Sequence, residues 1–98
     1  KERKRREAEE RNRRSKHAGP LQQQQDELEE TIAAHEMQLA VLAKRLEDPA
    51  VYGDAAANQA AVAQYAEVKA LLDADTTAWE EASVRLEAAK QALQDAAS

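Results

Sequence analysis

The sequence contains no cysteine, no phenylalanine, and only two glycines and two prolines. The lack of cysteine excludes a disulfide framework, a zinc ribbon and thiol catalysis, and it is consistent with a reducing cytoplasm. Aromatic residues make up 3% of the chain, too few for a globular core of ordinary thickness. No apolar run approaches the roughly 18 residues of a membrane span. We therefore expect a cytoplasmic protein that makes no membrane contact. Because the sequence starts at Lys1 rather than at a methionine, we also expect a piece of a longer protein.

The composition is typical of long helices and its charge is unevenly distributed. Charged residues make up 34% of the chain, and Ala, Leu, Glu, Gln, Lys and Arg dominate it. Residues 1–17 contain nine Lys or Arg and four Glu, whereas the rest of the chain contains five Lys or Arg and fifteen Asp or Glu. A basic segment joined to an acidic body suggests a polyanionic partner for the basic segment.

Side chains suited to a helix interface recur every seven positions in two separate runs. Folding the chain back around residues 49–52 pairs position 21 with 86, 28 with 79, 35 with 72 and 42 with 65. A seven-residue repeat is typical of helices that pack along a partner helix. The fold class that we predict is all-α, a two-helix antiparallel coiled-coil hairpin with a basic N-terminal helical arm. The predicted seam consists of Leu21, Gln25, Leu28, Ile32, His35, Leu39, Leu42 and Leu46 in the first helix and Ala61, Tyr65, Val68, Leu72, Asp75, Trp79, Ala82, Leu86, Ala89 and Leu93 in the second.

Breaks in the helical pattern divide the chain. Gly19-Pro20 predicts an interruption, because the residue before proline avoids the α region. We expect a basic arm over residues 1–19 and a hairpin over residues 20–98. In the hairpin, the first helix spans about 20–47, the tip 48–54 and the second helix about 55–96. Asp48 and Asp54 are the predicted caps at the tip. Val51 and Tyr52 are expected to cover the open end of the seam, and the alternative for Tyr52 is contact with a partner.

Two polar residues fall within the predicted seam. His35 and Asp75 are expected to form a polar pair that fixes the register of the helices at some cost in stability. The alternative is a pH switch or a metal ligand. A metal site needs more ligands than this pair offers.

Catalytic residues are not evident in the sequence. There is no phosphate-binding loop, no dinucleotide fingerprint and no nucleophilic triad. The carboxylates crowd the outer helix faces, where no cleft separates their pKa values. We expect that this chain is not an enzyme, that it binds no cofactor and that it holds no metal.

The basic arm is the strongest candidate for a binding site. Clustered Lys and Arg contact phosphates of DNA or RNA with a salt-dependent affinity that is largely independent of sequence. The predicted nucleic-acid-binding residues are Arg5, Arg6, Arg11, Arg13, Arg14 and Lys16, with Arg85 and Lys90 brought near the same end by the fold. The alternative is a solvated helix whose arginines are occupied four residues along the chain by glutamates. The pairs that this alternative predicts are Glu2–Arg6, Glu7–Arg11, Glu9–Arg13 and Glu10–Arg14.

Several segments occur in the order seen in a known family. They are Lys4-Arg5-Arg6-Glu7-Ala8-Glu9, then Pro20-Leu21, then Leu46-Glu47-Asp48-Pro49-Ala50-Val51-Tyr52, then Ala78-Trp79-Glu80-Glu81 and Leu86. On these segments the chain resembles the C-terminal coiled-coil domain of ABC-F ATPases, and within them the Uup/YheS-like branch. The resemblance covers nearly the whole chain.

The resemblance implies a role that the residues alone do not. In ABC-F proteins the two cassettes bind and hydrolyse ATP, so ATP and Mg²⁺ are expected for the parent chain, and the proteins act on the ribosome. The tail of Uup-like members is associated with DNA binding. The leading hypothesis is therefore a non-catalytic module that contacts DNA or ribosomal RNA through basic residues.

The alternative is a structural or protein-interaction coiled coil. It would dock on the parent ATPase domains or form a weak homodimer through apolar surface near Leu86 and Leu93. Three valines that lie off the seam could serve such a contact, namely Val41, Val62 and Val84.

Overall fold

The structure is a computed structural model that describes the backbone of residues 2–97 and the side chains of residues 2–9 and 18–97. It contains three helices, α1 over Glu2–Glu47, α2 over Pro49–Tyr52 and α3 over Ala55–Ala97. No strand occurs in residues 2–97. The predicted all-α fold is therefore confirmed. The division into a basic arm and a hairpin remains a prediction.

The chain forms two compact units, each containing a segment of α1 and a segment of α3. The first unit comprises Lys1–Glu27 and Ala78–Ser98, and the second comprises Leu28–Thr77. In the first unit, Gln25 hydrogen-bonds Ser83, and Leu21 lines a small groove with Ala89. Since the earlier residue of α1 lies beside the later residue of α3, these two segments run antiparallel.

The second unit is a complete hairpin that includes the tip. His35 contacts Asp75, and farther along α1 Leu42 lies near Val68. These contacts again place later residues of α1 beside earlier residues of α3, and α2 closes the connection between the two helices. The antiparallel arrangement that the sequence predicts is therefore present in each unit.

All of the residues predicted for the seam are buried or partly buried, including Leu28 and Trp79. The most buried are two leucines and two alanines, with Leu42 8%, Leu86 3%, Ala61 2% and Ala82 1% exposed. The alanines matter because a small side chain lets two helix backbones approach closely. The long side chains on either side can then pack against the opposite helix.

The tip is held by the two aspartates that the sequence predicts as caps. Asp48 Oδ1 accepts a hydrogen bond from the backbone N–H of Ala50 at 2.9 Å, and Pro49 occupies the first position of α2. Asp54 Oδ1 accepts from Ala56 at 3.1 Å and from Ala57 at 3.3 Å. These bonds satisfy N–H groups that have no partner within the first turn of a helix.

The residues after Pro49 turn sharply. The N–H of Gly53 donates to the carbonyl of Pro49 at 3.0 Å, and a Cβ at Gly53 would lie 2.8 Å from the same oxygen. Glycine is required here by space rather than by a special backbone conformation.

Val51 is partly buried, as expected, but Tyr52 is 60% exposed. The prediction that Tyr52 covers the end of the seam is therefore wrong.

The predicted interruption at Gly19-Pro20 is also wrong, because α1 runs without a break through both residues. Proline removes one backbone hydrogen bond and crowds the preceding turn, but it does not forbid the helix. The clash that keeps a residue before proline out of the α region involves in part that residue's Cβ. Gly19 has no Cβ, so this part of the clash is absent. The helix therefore continues across Pro20 with the loss of a single donor.

Shortening one buried leucine should destabilise the fold measurably. We expect Leu86→Ala to lower the free energy of unfolding by about 2–3 kcal/mol, since it removes buried methyl groups and leaves a void. The matched control is Val84→Ala two residues away, which changes a side chain that is 71% exposed. Urea denaturation followed by circular dichroism would measure both. Equal losses in the two variants would contradict the burial described above.

Replacing each of the two prolines by alanine should affect the stability of the chain differently. Pro20→Ala restores a backbone donor inside α1, so it should raise helix content and stability by about 1–3 kcal/mol. Pro49→Ala should give no gain, because proline suits the first position of a helix. Thermal unfolding followed by circular dichroism would compare them. A lower melting temperature for Pro20→Ala would show that the helix does not run through this position.

Candidate nucleic-acid interface and the polar seam

Residues 2–9 form an exposed basic segment at the start of α1. All eight side chains are exposed, and they include Arg3, Lys4, Arg5 and Arg6. Two ion pairs occur in this segment, Arg3 to Glu7 at 4.0 Å and Arg5 to Glu9 at 3.9 Å. In both pairs the arginine precedes the glutamate. The predicted Glu2–Arg6 pair, with the opposite order, is not formed within residues 2–9.

These ion pairs hold the arginines only weakly. The side chain of Arg3 is 95% exposed and that of Arg5 is 83% exposed. Exposed pairs four residues apart contribute about 0.3–0.5 kcal/mol, and the order with arginine first is the less favourable one. A phosphate that approaches the segment can therefore replace the glutamates at little cost. The alternative in which glutamates occupy the arginines is not supported by strong pairing at these two sites.

Four of the predicted nucleic-acid-binding residues lie outside the part of the chain whose side chains are described, namely Arg11, Arg13, Arg14 and Lys16. Only Arg5 and Arg6 of the predicted set in the arm have described side chains, and both are exposed.

Arg85 and Lys90 lie in the same compact unit as the basic segment and are exposed. Arg85 borders a small groove with Leu21. The seam register, in which Gln25 is level with Ala82, places Lys90 level with position 17 of α1, about 16 Å along the helix axis from Arg6. The unit thus contains both groups of cations, but they are separate patches rather than one cluster.

The predicted polar pair is present in the seam of the second unit. His35 Nδ1 lies 2.5 Å from Asp75 Oδ2, and the two side chains are 19% and 20% exposed. The pair therefore places a hydrogen bond, which depends on direction, at a point of the seam where an apolar contact would otherwise lie. No group of three or more His, Asp or Glu side chains suited to a metal ion occurs among the described residues, so His35 has no further ligands near it there.

A second polar contact across the helices was not predicted. Gln25 Nε2 donates to Ser83 Oγ at 2.6 Å in the first unit. The sequence pattern pairs Gln25 with Ala82, and Ala82 is indeed buried. The longer glutamine side chain nevertheless reaches the next residue, where it finds an acceptor. In the sequence, this contact is indicated by a serine that directly follows Ala82, the residue paired with Gln25.

An apolar groove lies on one side of the second unit. Its lining includes Met37, Val41 and Leu71, which are 71%, 56% and 47% exposed, and the open groove has a volume of about 690 Å³. Only Val41 had been singled out from the sequence. The spacing of Ala34, Met37 and Val41, by three and then four residues, was the signal that marks a second stripe beside the seam.

The surface suggested for homodimer formation is different from this groove. Leu86 is only 3% exposed because it packs within its own unit, and Leu93 is partly buried. Leu86 itself therefore offers little surface to a partner, and a contact through the surface near it stays a prediction. Val62 and Val84, however, are exposed as predicted, at 51% and 71%.

A family model described as the ABC transporter C-terminal domain matches residues 20–84. The chain belongs to this family. The matched residues include most of the seam, the tip with its two aspartate caps, the His35–Asp75 pair and the apolar groove. No curated protein and no solved structure matched the chain.

The family match does not reach the candidate binding residues. The basic segment precedes residue 20, and Arg85 and Lys90 follow residue 84. Membership of the ABC transporter C-terminal domain family therefore accounts for the hairpin. The case for nucleic-acid contact depends on charge and exposure alone.

Neither of the long helices in residues 2–97 is apolar enough over a sufficient length to cross a membrane.

Replacing both members of the polar pair should stabilise the second unit. We expect the double variant His35→Leu/Asp75→Leu to gain about 1–2 kcal/mol, because an apolar contact avoids the desolvation of two polar groups. Each single variant should be less stable than the double variant, since it leaves one partly buried polar group without its partner. Urea denaturation of all four proteins gives the coupling energy. A double variant less stable than the unaltered protein would show that the pair is a net source of stability.

Proposed function

We propose that this chain is the non-catalytic C-terminal module of an ABC-F ATP-binding protein. The family match supports a module of an ABC-type protein. The ABC-F assignment is supported by the tip sequence from Leu46 to Tyr52 and by the Ala78-Trp79-Glu80-Glu81 step, both of which lie within the matched residues. The parent is then a cytoplasmic protein whose cassettes bind ATP and Mg²⁺. Since this chain has no phosphate-binding loop, the ATP ligands are expected in the cassettes of the parent.

The module, we further propose, contacts nucleic acid through its basic N-terminal segment. The observation that carries this proposal is the exposure of Arg3, Lys4, Arg5 and Arg6 on one continuous helix, with only weak ion pairs to neighbouring glutamates. Helical spacing distributes these cations around the helix at intervals of about 1.5 Å along its axis. A phosphate backbone that crosses the segment can therefore meet several of them. The contacts are of the kind that positions a protein on DNA or on ribosomal RNA without reading its sequence.

The acidic body limits where the polyanion can lie. Residues 18–98 contain three times as many acidic residues as basic ones, so the hairpin faces repel phosphate. Attraction at the segment and repulsion along the body together favour binding at the basic end. Arg85 and Lys90 could then add contacts from α3, although they lie nearer to residue 20 than to residue 6.

Salt dependence of binding is the direct test of this proposal. Affinity for labelled duplex DNA and duplex RNA, measured by fluorescence anisotropy between about 50 and 200 mM salt, should fall steeply as salt increases. Arg5→Gln/Arg6→Gln should reduce the slope of log affinity against log salt by about 2, since two phosphate contacts are lost.

A matched control changes the net charge equally without touching the basic segment. Arg45→Gln/Lys69→Gln removes two exposed cations from the acidic body and should leave the slope unchanged. Equal effects of the two double variants would mean that net charge alone governs binding. Absence of binding at about 50 mM salt would overturn the proposal and favour docking of the hairpin on the parent ATPase domains.

A further inference from the structure

The apolar groove of the second unit brings three large, exposed apolar side chains together. Met37 on α1 and Leu71 on α3 face it from opposite sides, and Val41 continues it along α1. These three side chains are 71%, 47% and 56% exposed. Large apolar side chains that are exposed in a group, rather than scattered singly, mark a candidate contact site.

Charged residues flank the apolar side chains of α1 in a definite order. Glu30, Ala34, Met37, Val41 and Lys44 are separated by three or four residues and therefore lie on one stripe of α1. Along α1 the stripe therefore begins with an acidic residue, continues with three apolar residues and ends with a basic one. Met37 lies at its midpoint, seven residues after Glu30 and seven residues before Lys44, or about two helical turns in each direction.

A stripe with this order is complementary to an antiparallel copy of itself. A two-fold axis at Met37 would place Glu30 of each chain opposite Lys44 of the other, and the small side chain of Ala34 opposite Val41 or its neighbouring turn. Contacts that repeat in this way are the defining property of a two-fold interface. A partner of unrelated sequence would have to supply the reverse charge order by chance, whereas a second copy supplies it by symmetry.

The basic segment of the chain is not a suitable occupant of the groove. Residues 1–17 contain a single apolar residue, Ala8, so the segment has no side chain to bury beside Met37 and Leu71. Six of the nine residues that line the groove are apolar, and Glu67 is the one acidic residue of the nine. The groove therefore offers mainly apolar contacts.

We propose that a second copy of this chain packs antiparallel along the Glu30–Lys44 stripe, with Met37 of each copy entering the groove of the other beside Leu71. The interface differs from the basic segment both in position and in chemistry, so it is independent of nucleic-acid binding. It is also distinct from a contact through Leu86, which is buried within its own unit.

Analytical ultracentrifugation of the 98-residue chain tests this proposal. The protein should dimerise as its concentration rises toward about 500 µM, a range that detects weak association. Met37→Glu should abolish the dimer, because it places two like charges at the two-fold axis. The matched control is Val84→Glu, which introduces the same charge at a side chain with the same 71% exposure outside the groove.

A charge swap tests both the partner and its direction. Glu30→Lys and Lys44→Glu should each weaken dimerisation by about tenfold, since each creates two like-charge contacts in the dimer. The combined variant should return to within about threefold of the unaltered protein, because the order of charges is then reversed but still complementary. The controls Glu36→Lys and Lys69→Glu make the same charge changes at exposed positions outside the groove.

Three results would overturn the proposal. They are a chain that stays monomeric throughout, a dimer that Met37→Glu does not weaken, and a combined variant that is no better than the single ones. Circular dichroism of each variant at the same concentration would show whether it is folded. A Met37→Glu variant that fails to fold would be replaced by Met37→Gln, which keeps the side chain uncharged and should still weaken the dimer.

Discussion

The contact between α1 and α3 is the constraint on which the other features of this chain depend. It is narrow, because two helices can bury only the residues that face each other along one line. Among the side chains that the structure describes, four are buried, and two of these are alanines, Ala61 and Ala82. Their small size brings the helices close enough for Leu42 and Leu86 to be enclosed. Intrinsic helix propensity and end caps must supply much of the remaining stability, since little apolar area is available.

The seven-residue spacing was enough to predict which residues face the partner helix. Each residue that it assigns to the seam is buried or partly buried, and it predicted the contact of His35 with Asp75, because periodicity and antiparallel direction together determine register. The aspartate caps could be predicted as well, since capping depends on local sequence. Spacing failed where the length of a side chain decides the contact. Gln25 reaches Ser83 rather than Ala82, and the methionine of the groove lies outside the repeat.

Two errors arose from local preferences that the surrounding chain overrides. Gly19-Pro20 has the composition of a helix end, yet long helix-forming stretches on both sides and the missing Cβ of Gly19 allow α1 to continue. Tyr52 has the size to cover the end of the seam, but the short α2 helix leaves it exposed. The binding residues were chosen by charge alone. Their exposure in residues 2–9 could be predicted from the near absence of apolar side chains, whereas the order of their ion pairs could not.

The continuity of α1 through Pro20 has a mechanical consequence for the basic segment. Within the first unit, residues 2–9 are joined to Leu21 and Gln25 by unbroken helix rather than by a flexible linker. The number of residues between the cations and Leu21 sets both their separation along the helix axis and their rotation about it. Each residue adds about 1.5 Å and about 100°. One inserted residue would therefore rotate the cations by more than a quarter turn about the axis. A ligand bound at that end would therefore be held at a fixed orientation about the helix axis.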